Sequence, residues 1–83
     1  MTLNVARDVR EVIREEPLMR RPILEALADG PLNVPDIAAA IQRPSAEVVY
    51  WVMGMRRYGK LVELPDADDD GYFLYAAVRR EVS

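Results

Sequence analysis

The 83-residue chain contains no cysteine and no histidine. Without cysteine there are no disulfide staples, no thiol nucleophile, no thiolate zinc site and no iron–sulfur ligation. Without histidine the commonest general base and the commonest transition-metal ligand are gone. No apolar run approaches the ~20 residues that a membrane span needs, and residues 1–6 lack a secretory signal pattern. Lysine is nearly absent too: Lys60 stands alone among eleven basic residues, the other ten being Arg. Together these absences lead us to expect a cytoplasmic protein without metal, cofactor or redox chemistry. The Arg bias suits planar, bidentate recognition of phosphate or of protein carboxylates.

What is present is an ordinary folding composition. Hydrophobic residues make up 51% and charged residues 30%, enough to drive folding of one small domain, 1–83. The net charge of −3 runs against the basic footprint that usually marks nucleic-acid binders. Residues 3–16 place Val5, Ala6, Val9, Val12 and Ile13 on one helical face. Arg7, Arg10 and Arg14 form a second stripe. Pro17 suits a first helical turn and not an interior, so a second helix is expected over about 18–28, with Ile23, Leu24 and Leu27 buried. Gly30 and Pro31 stop it. Asn33 caps a short Ala-rich third helix, and after Gln42-Arg43-Pro44 the Ser45 hydroxyl is expected to cap a fourth, ending at Tyr58 and Gly59. Leu61–Leu64 and Tyr72–Tyr75 read as two strands around an Asp-rich turn closed by Gly71. The fold class is mainly α with a small β-hairpin.

The stretch Asp36-Ile37-Ala38-Ala39-Ala40-Ile41, then Arg43-Pro44-Ser45-Ala46-Glu47-Val48, then Met55-Arg56-Arg57-Tyr58-Gly59-Lys60-Leu61-Val62, resembles the winged helix–turn–helix superfamily. The resemblance covers roughly residues 18–76 and is nearest to small bacterial and archaeal regulators of the arsenical-resistance and multiple-antibiotic-resistance types. It implies a helix–turn–helix at about 34–58 and a wing at about 61–76. Ala38 and Ala39 would let helices approach closely, and Ile37, Ile41, Val48, Val52 and Met55 would fill the space between them. It also implies that the fourth helix enters a DNA major groove while the wing touches the backbone or the minor groove.

The residues at those positions point elsewhere. The outward side of the fourth helix should carry Ala46, Glu47, Val49, Tyr50, Met53 and Arg57, and only Tyr50 and Arg57 are plausible donors to base edges. The wing tip, Asp66-Ala67-Asp68-Asp69-Asp70-Gly71, presents four carboxylates where phosphate neutralisation would need cations. Such a run is most often a solvated turn. An apolar helix residue is most often core, so Val49 and Met53 have two readings, as does Trp51, for which core is favoured.

Asp66, Asp68 and Asp70 before Gly71 match the opening of an EF-hand loop, but the closing carboxylate would fall on Ala77. We therefore assign no metal site. Neither a catalytic triad nor a phosphate-binding glycine loop is present, so no enzyme and no catalytic or cofactor-binding residue is expected. Gly54, mid-helix at a cost of ~1 kcal/mol against Ala, hints at close packing there.

Two functions follow. The first is a module acting through protein contacts, as a dimer, assembly factor or accessory subunit, with Val49, Tyr50, Met53 and Arg57 as its surface. The alternative is a DNA-binding transcriptional regulator that is homodimeric through the 3–16 helix. Arg43, Tyr50, Arg56, Arg57 and Lys60 would then contact double-stranded DNA, with Arg7, Arg10 and Arg14 as a backbone clamp.

Overall fold

The computed structural model describes residues 8–78. Four helices precede a hairpin: α1 (Val9–Arg14), α2 (Glu16–Ala26), α3 (Val34–Ile41), α4 (Ser45–Arg57), β1 (Leu61–Ala67) and β2 (Phe73–Ala77). The core lies where α2, α3, α4 and the base of the hairpin converge. Ile23, Ile37, Val48, Trp51, Val52, Met55 and Leu61 are its largest fully buried side chains.

The first helix is shorter than its apolar spacing predicts. Asp8 accepts from the Arg10 N–H and caps α1, so the helix begins at Val9, and the expected residues Leu3, Val5, Ala6 and Arg7 lie outside the described residues. Of the expected face only Val12 is buried, while Val9 and Ile13 are exposed. The chain turns at Glu15, so α1 is too short to lay a long stripe on the core. Trp51 fixes its position: the indole N–H donates to the Val12 carbonyl at 2.6 Å. Trp51 is therefore core.

The second helix starts two residues before the expected Leu18, because Pro17 occupies its first turn. It also accommodates Pro22, which removes one N–H from the ladder where the Leu18 carbonyl would be its acceptor; Leu18 is exposed, so solvent can take the place of that bond. Ile23 and Leu27 are buried as expected, and Leu24 is partly so.

Asn33 caps α3 as read from the sequence, its Oδ1 accepting from the Asp36 N–H at 2.7 Å. The turn to α4 is closed by Gln42 in the left-handed region at φ 58°, with the Arg43 N–H returning to the Ala38 carbonyl. Ser45 is not the cap: Pro44 holds that position, no side chain caps the helix, and Ser45 is already helical. Ile37, Val48, Val52 and Met55 are buried together, with Ile41 packed at the edge. Only one of the two small residues acts as a spacer, since Ala38 is buried and Ala39 exposed.

Gly59, at φ 76°, turns the chain from α4 into β1. The strands pair antiparallel from Leu61↔Ala77 to Glu63↔Tyr75, then through an irregularity to Ala67↔Phe73. Leu32 adds one antiparallel bridge to Tyr75, each N–H donating to the other's carbonyl. The hairpin is thereby stitched to the loop entering α3. Among the described residues no helix is long and apolar enough to cross a membrane.

Candidate functional site

The outer face of α4 is where the sequence-derived candidates converge. Val48, Trp51, Val52 and Met55 face the core, which leaves Val49, Tyr50, Met53 and Arg57 pointing outward. Val49 is 40%, Tyr50 42% and Met53 38% exposed, so the display reading holds for Val49 and Met53. The four do not form one uniform patch. Val49 lies with Ala46, Val34, Pro35, Tyr72 and Phe73 in an apolar groove of about 520 Å³ between α4 and the wing. Tyr50 and Arg57 instead rim a second cleft, of about 400 Å³, with Ile13, Arg14, Arg20 and Tyr58. Met53 sits beside Arg56 and Arg57.

The second cleft has a constructed floor. Glu16 is buried, and both its carboxylate oxygens accept from the Arg20 guanidinium, through Nε and through Nη2, the latter at 2.8 Å. That pairing raises the Arg20 pKa above its ordinary value. The Arg20 guanidinium in turn stands 5.5 Å from the centre of the Tyr58 ring. Gly54 is explained by this cluster. A Cβ there would come within 3.3 Å of Glu16 Cγ and Oε1, so the glycine lets the buried carboxylate lie against α4.

The expected DNA-contact residues are exposed but dispersed. Arg43 lies in the turn before α4, and Lys60 lies after it. Arg56 is engaged within the fold, its Nη1 lying 3.7 Å from Glu63 Oε1, which also accepts from the Tyr75 hydroxyl at 3.0 Å. Burial and that carboxylate push the Tyr75 pKa up. The proposed arginine clamp is divided. Arg10 is tied to Asp8 at 3.3 Å, Arg7 lies outside the described residues, and only Arg14 reaches the cleft that Arg57 rims.

The wing tip departs from a merely solvated turn. Asp68 Oδ2 accepts from Asn33 Nδ2 at 2.7 Å, and Asp68 Oδ1 accepts from the Asp70 and Tyr72 N–H groups at 2.9 and 3.0 Å. The Asn33 bond is the largest cause holding the Asp68 carboxyl below its ordinary pKa, and the backbone donors act in the same direction. This latch, linking the α3 cap to the wing, is missed by sequence reasoning, because the two residues stand 35 positions apart. The available signal was Asn33 itself, whose capping oxygen leaves an amide needing an acceptor. Among the described residues no three acidic side chains converge to hold a cation.

No protein-family model matches the chain. No curated protein matches it either. Two solved structures are similar to it. A chain of the adhesin competence repressor from Streptococcus pyogenes matches at TM-score 0.64 and 16% identity, over 84% of this chain and 59% of that one. Human N-acetylserotonin methyltransferase, in complex with SAM, matches at TM-score 0.62 and 17% identity, over 84% of this chain and 19% of that one. This chain thus corresponds to somewhat over half of the repressor and to a small part of the methyltransferase. At such identities the likeness is one of fold: four helices and an antiparallel hairpin in the winged-helix arrangement.

Proposed function

We propose that the chain is a non-enzymatic winged-helix regulator that binds duplex DNA through the outer face of α4. The observation carrying this reading is that exposed Arg57 and Arg14, from different helices, rim one cleft together with Tyr50. Arg43 and Lys60 are further exposed cations before and after α4, apart from that cleft, and Arg56 adds a guanidinium shared with Glu63. The fold shared with a repressor chain supports the same reading. The four Asp of the wing repel phosphate, so affinity has to come from the helix and is modest and salt-sensitive. Anisotropy of a labelled random-sequence duplex at low and moderate salt tests this. Binding should weaken linearly on a log–log salt plot, and Arg57→Ala should reduce the slope by about one phosphate contact. Absence of duplex binding at low salt would overturn the proposal.

A second reading is supported by a separate observation: Val49, Tyr50 and Met53 are all exposed where a base-reading helix ordinarily carries polar side chains. An apolar-aromatic centre edged by Arg57 is the composition of a protein-contact surface, used for dimerisation, assembly or attachment as an accessory subunit.

A further inference from the structure

The outer face of α4 is apolar at its middle and basic at its C-terminal end, and the wing just beyond the acidic tip adjoins its N-terminal end. At its N-terminal end Val49 shares a groove with Gly71, Tyr72 and Phe73, of which Gly71 follows the Asp66–Asp70 tip. At its C-terminal end Met53 shares a surface with Arg56 and Arg57. Tyr50 lies between them and touches the Arg57 side. A surface with this order becomes complementary to itself when a second copy is turned end for end.

We propose that α4 packs antiparallel against the α4 of a second copy, about a two-fold axis at the level of Trp51. On that axis Val49 of one copy meets Met53 of the other, and Arg57 reaches the level of Ser45, beside the other copy's wing tip. Ser45 and Arg57 are about 18 Å apart along the helix, so each ionic end forms about 9 Å from the axis. Arg57, Asp69 and Asp70 make no ion pair among the described residues, so these charges are available. The two-fold forms every contact twice and places two charge pairs around one apolar centre. Other occupants satisfy only half of the face: a duplex is repelled by the wing tip, and a cationic peptide leaves the arginine end unmatched. A typical partner surface buries ~800 Å², about an eighth of the 6067 Å² here. A single helix face with a wing edge falls at or below that size, so the dimer is concentration-dependent. The inference rests on the protein-contact reading; a dimer formed this way covers the face that duplex binding needs, so the two readings exclude each other.

Light scattering and sedimentation of the full chain over a wide concentration range test it. Wild type should show a monomer–dimer equilibrium. Met53→Asp should weaken it by at least about 30-fold, the loss expected on spoiling an interface centre, with circular dichroism confirming that the variant stays folded. Arg57→Asp alone and Asp69→Arg/Asp70→Arg alone should each weaken it. The three changes combined should recover association, because the two ends regain opposite signs. A wild type that is monomeric throughout, a dimer indifferent to Met53→Asp, or a triple variant no tighter than its parents would each overturn the proposal. A chain that stays monomeric yet binds duplex DNA would discard this dimer and leave the DNA reading standing.

Discussion

At the N-terminal end of α4 the neighbouring structure is fastened by directional hydrogen bonds. Asn33 spends its oxygen on the α3 cap and its amide on Asp68, and Asp68 in turn gathers the backbone of the wing tip. At the C-terminal end the fastening is ionic and aromatic: Arg20 joins buried Glu16 to the Tyr58 ring, and Arg56 reaches Glu63. The acidic end therefore has one carboxylate consumed by architecture and others turned outward. The basic end is similarly divided, with Arg20 and Arg56 paired inside the fold and Arg14 and Arg57 on the rim. Counting charges on each end would have misjudged both. What acts outward is the remainder after the fold has used its share: Asp66, Asp69 and Asp70 at one end, Arg14 and Arg57 at the other.

Both ends hang on the buried inner side of α4, so the largest expected effect erases the comparison altogether. Trp51 is fully buried, and its indole N–H holds α1 through the Val12 carbonyl. Trp51→Ala should cost ~3–5 kcal/mol by cavity formation, with a smaller contribution from the lost indole hydrogen bond, since the Val12 carbonyl still accepts from the Glu15 N–H. Denaturant melts would show it as a large fall in midpoint. A loss below ~1 kcal/mol would mean that α1 is held independently of Trp51.

Removing the hydrogen-bonded end alone should have the next effect. Asn33→Ala deletes a helix cap, worth ~0.5–2 kcal/mol, and also strips Asp68 of its amide donor. Hydrogen exchange should accelerate at the wing tip and at the start of α3, while the Glu16–Arg20 end stays protected. Equal loosening at both ends would show that the two are coupled through α4.

The basic end is probed with the opposite kind of change, an added methyl. Gly54→Ala gains ~1 kcal/mol of helix propensity but drives a Cβ to 3.3 Å from Glu16. That carboxylate is buried and pinned by Arg20, so overpacking of ~1–3 kcal/mol opposes the gain and the net result should be neutral to destabilising. In a Glu16→Ala background the same substitution should stabilise by about 1 kcal/mol. A double-mutant cycle of stabilities reads the difference, and additivity would contradict the packing account.

The contrast between the ends also governs how much was legible in the sequence. Periodicity located all four helices, and the hairpin followed from its glycine and apolar runs, because each signal is local. The helix starts at Glu16 and Ser45 were misplaced, since Pro17 and Pro44 set them through backbone geometry and not through a capping side chain. Of the site, the outward set on α4 was readable from helical spacing once Trp51 was placed in the core. The Asn33–Asp68 latch and the Arg14–Arg57 cleft were not readable, because they depend on how separate elements meet. Gly54 was intermediate: its cost announced a close contact without naming Glu16 as the partner.

The smallest expected effect lies in acid and isolates the hydrogen-bonded end. The folded Asp68 carboxyl is held below its ordinary value of 3.8, mainly by the Asn33 amide, so the folded state favours the ionised form. A group depressed on folding contributes its stabilisation fully above the unfolded pKa. As pH falls below about 3.8 the unfolded chain takes up the proton first, and the contribution is lost progressively through the folded pKa. Thermal melts of wild type should therefore lose stability in this window more steeply than melts of Asp68→Asn, which removes the titration and keeps one oxygen for the Asp70 and Tyr72 N–H groups while giving up the bond from Asn33. Arg20 itself does not titrate there, because its pKa is raised by Glu16 from an already high value, and arginine stays charged across the range. Superimposable pH profiles for the two proteins below pH 4 would mean that the Asn33 bond does not persist in solution, and the wing tip would then revert to the solvated turn that its sequence suggests.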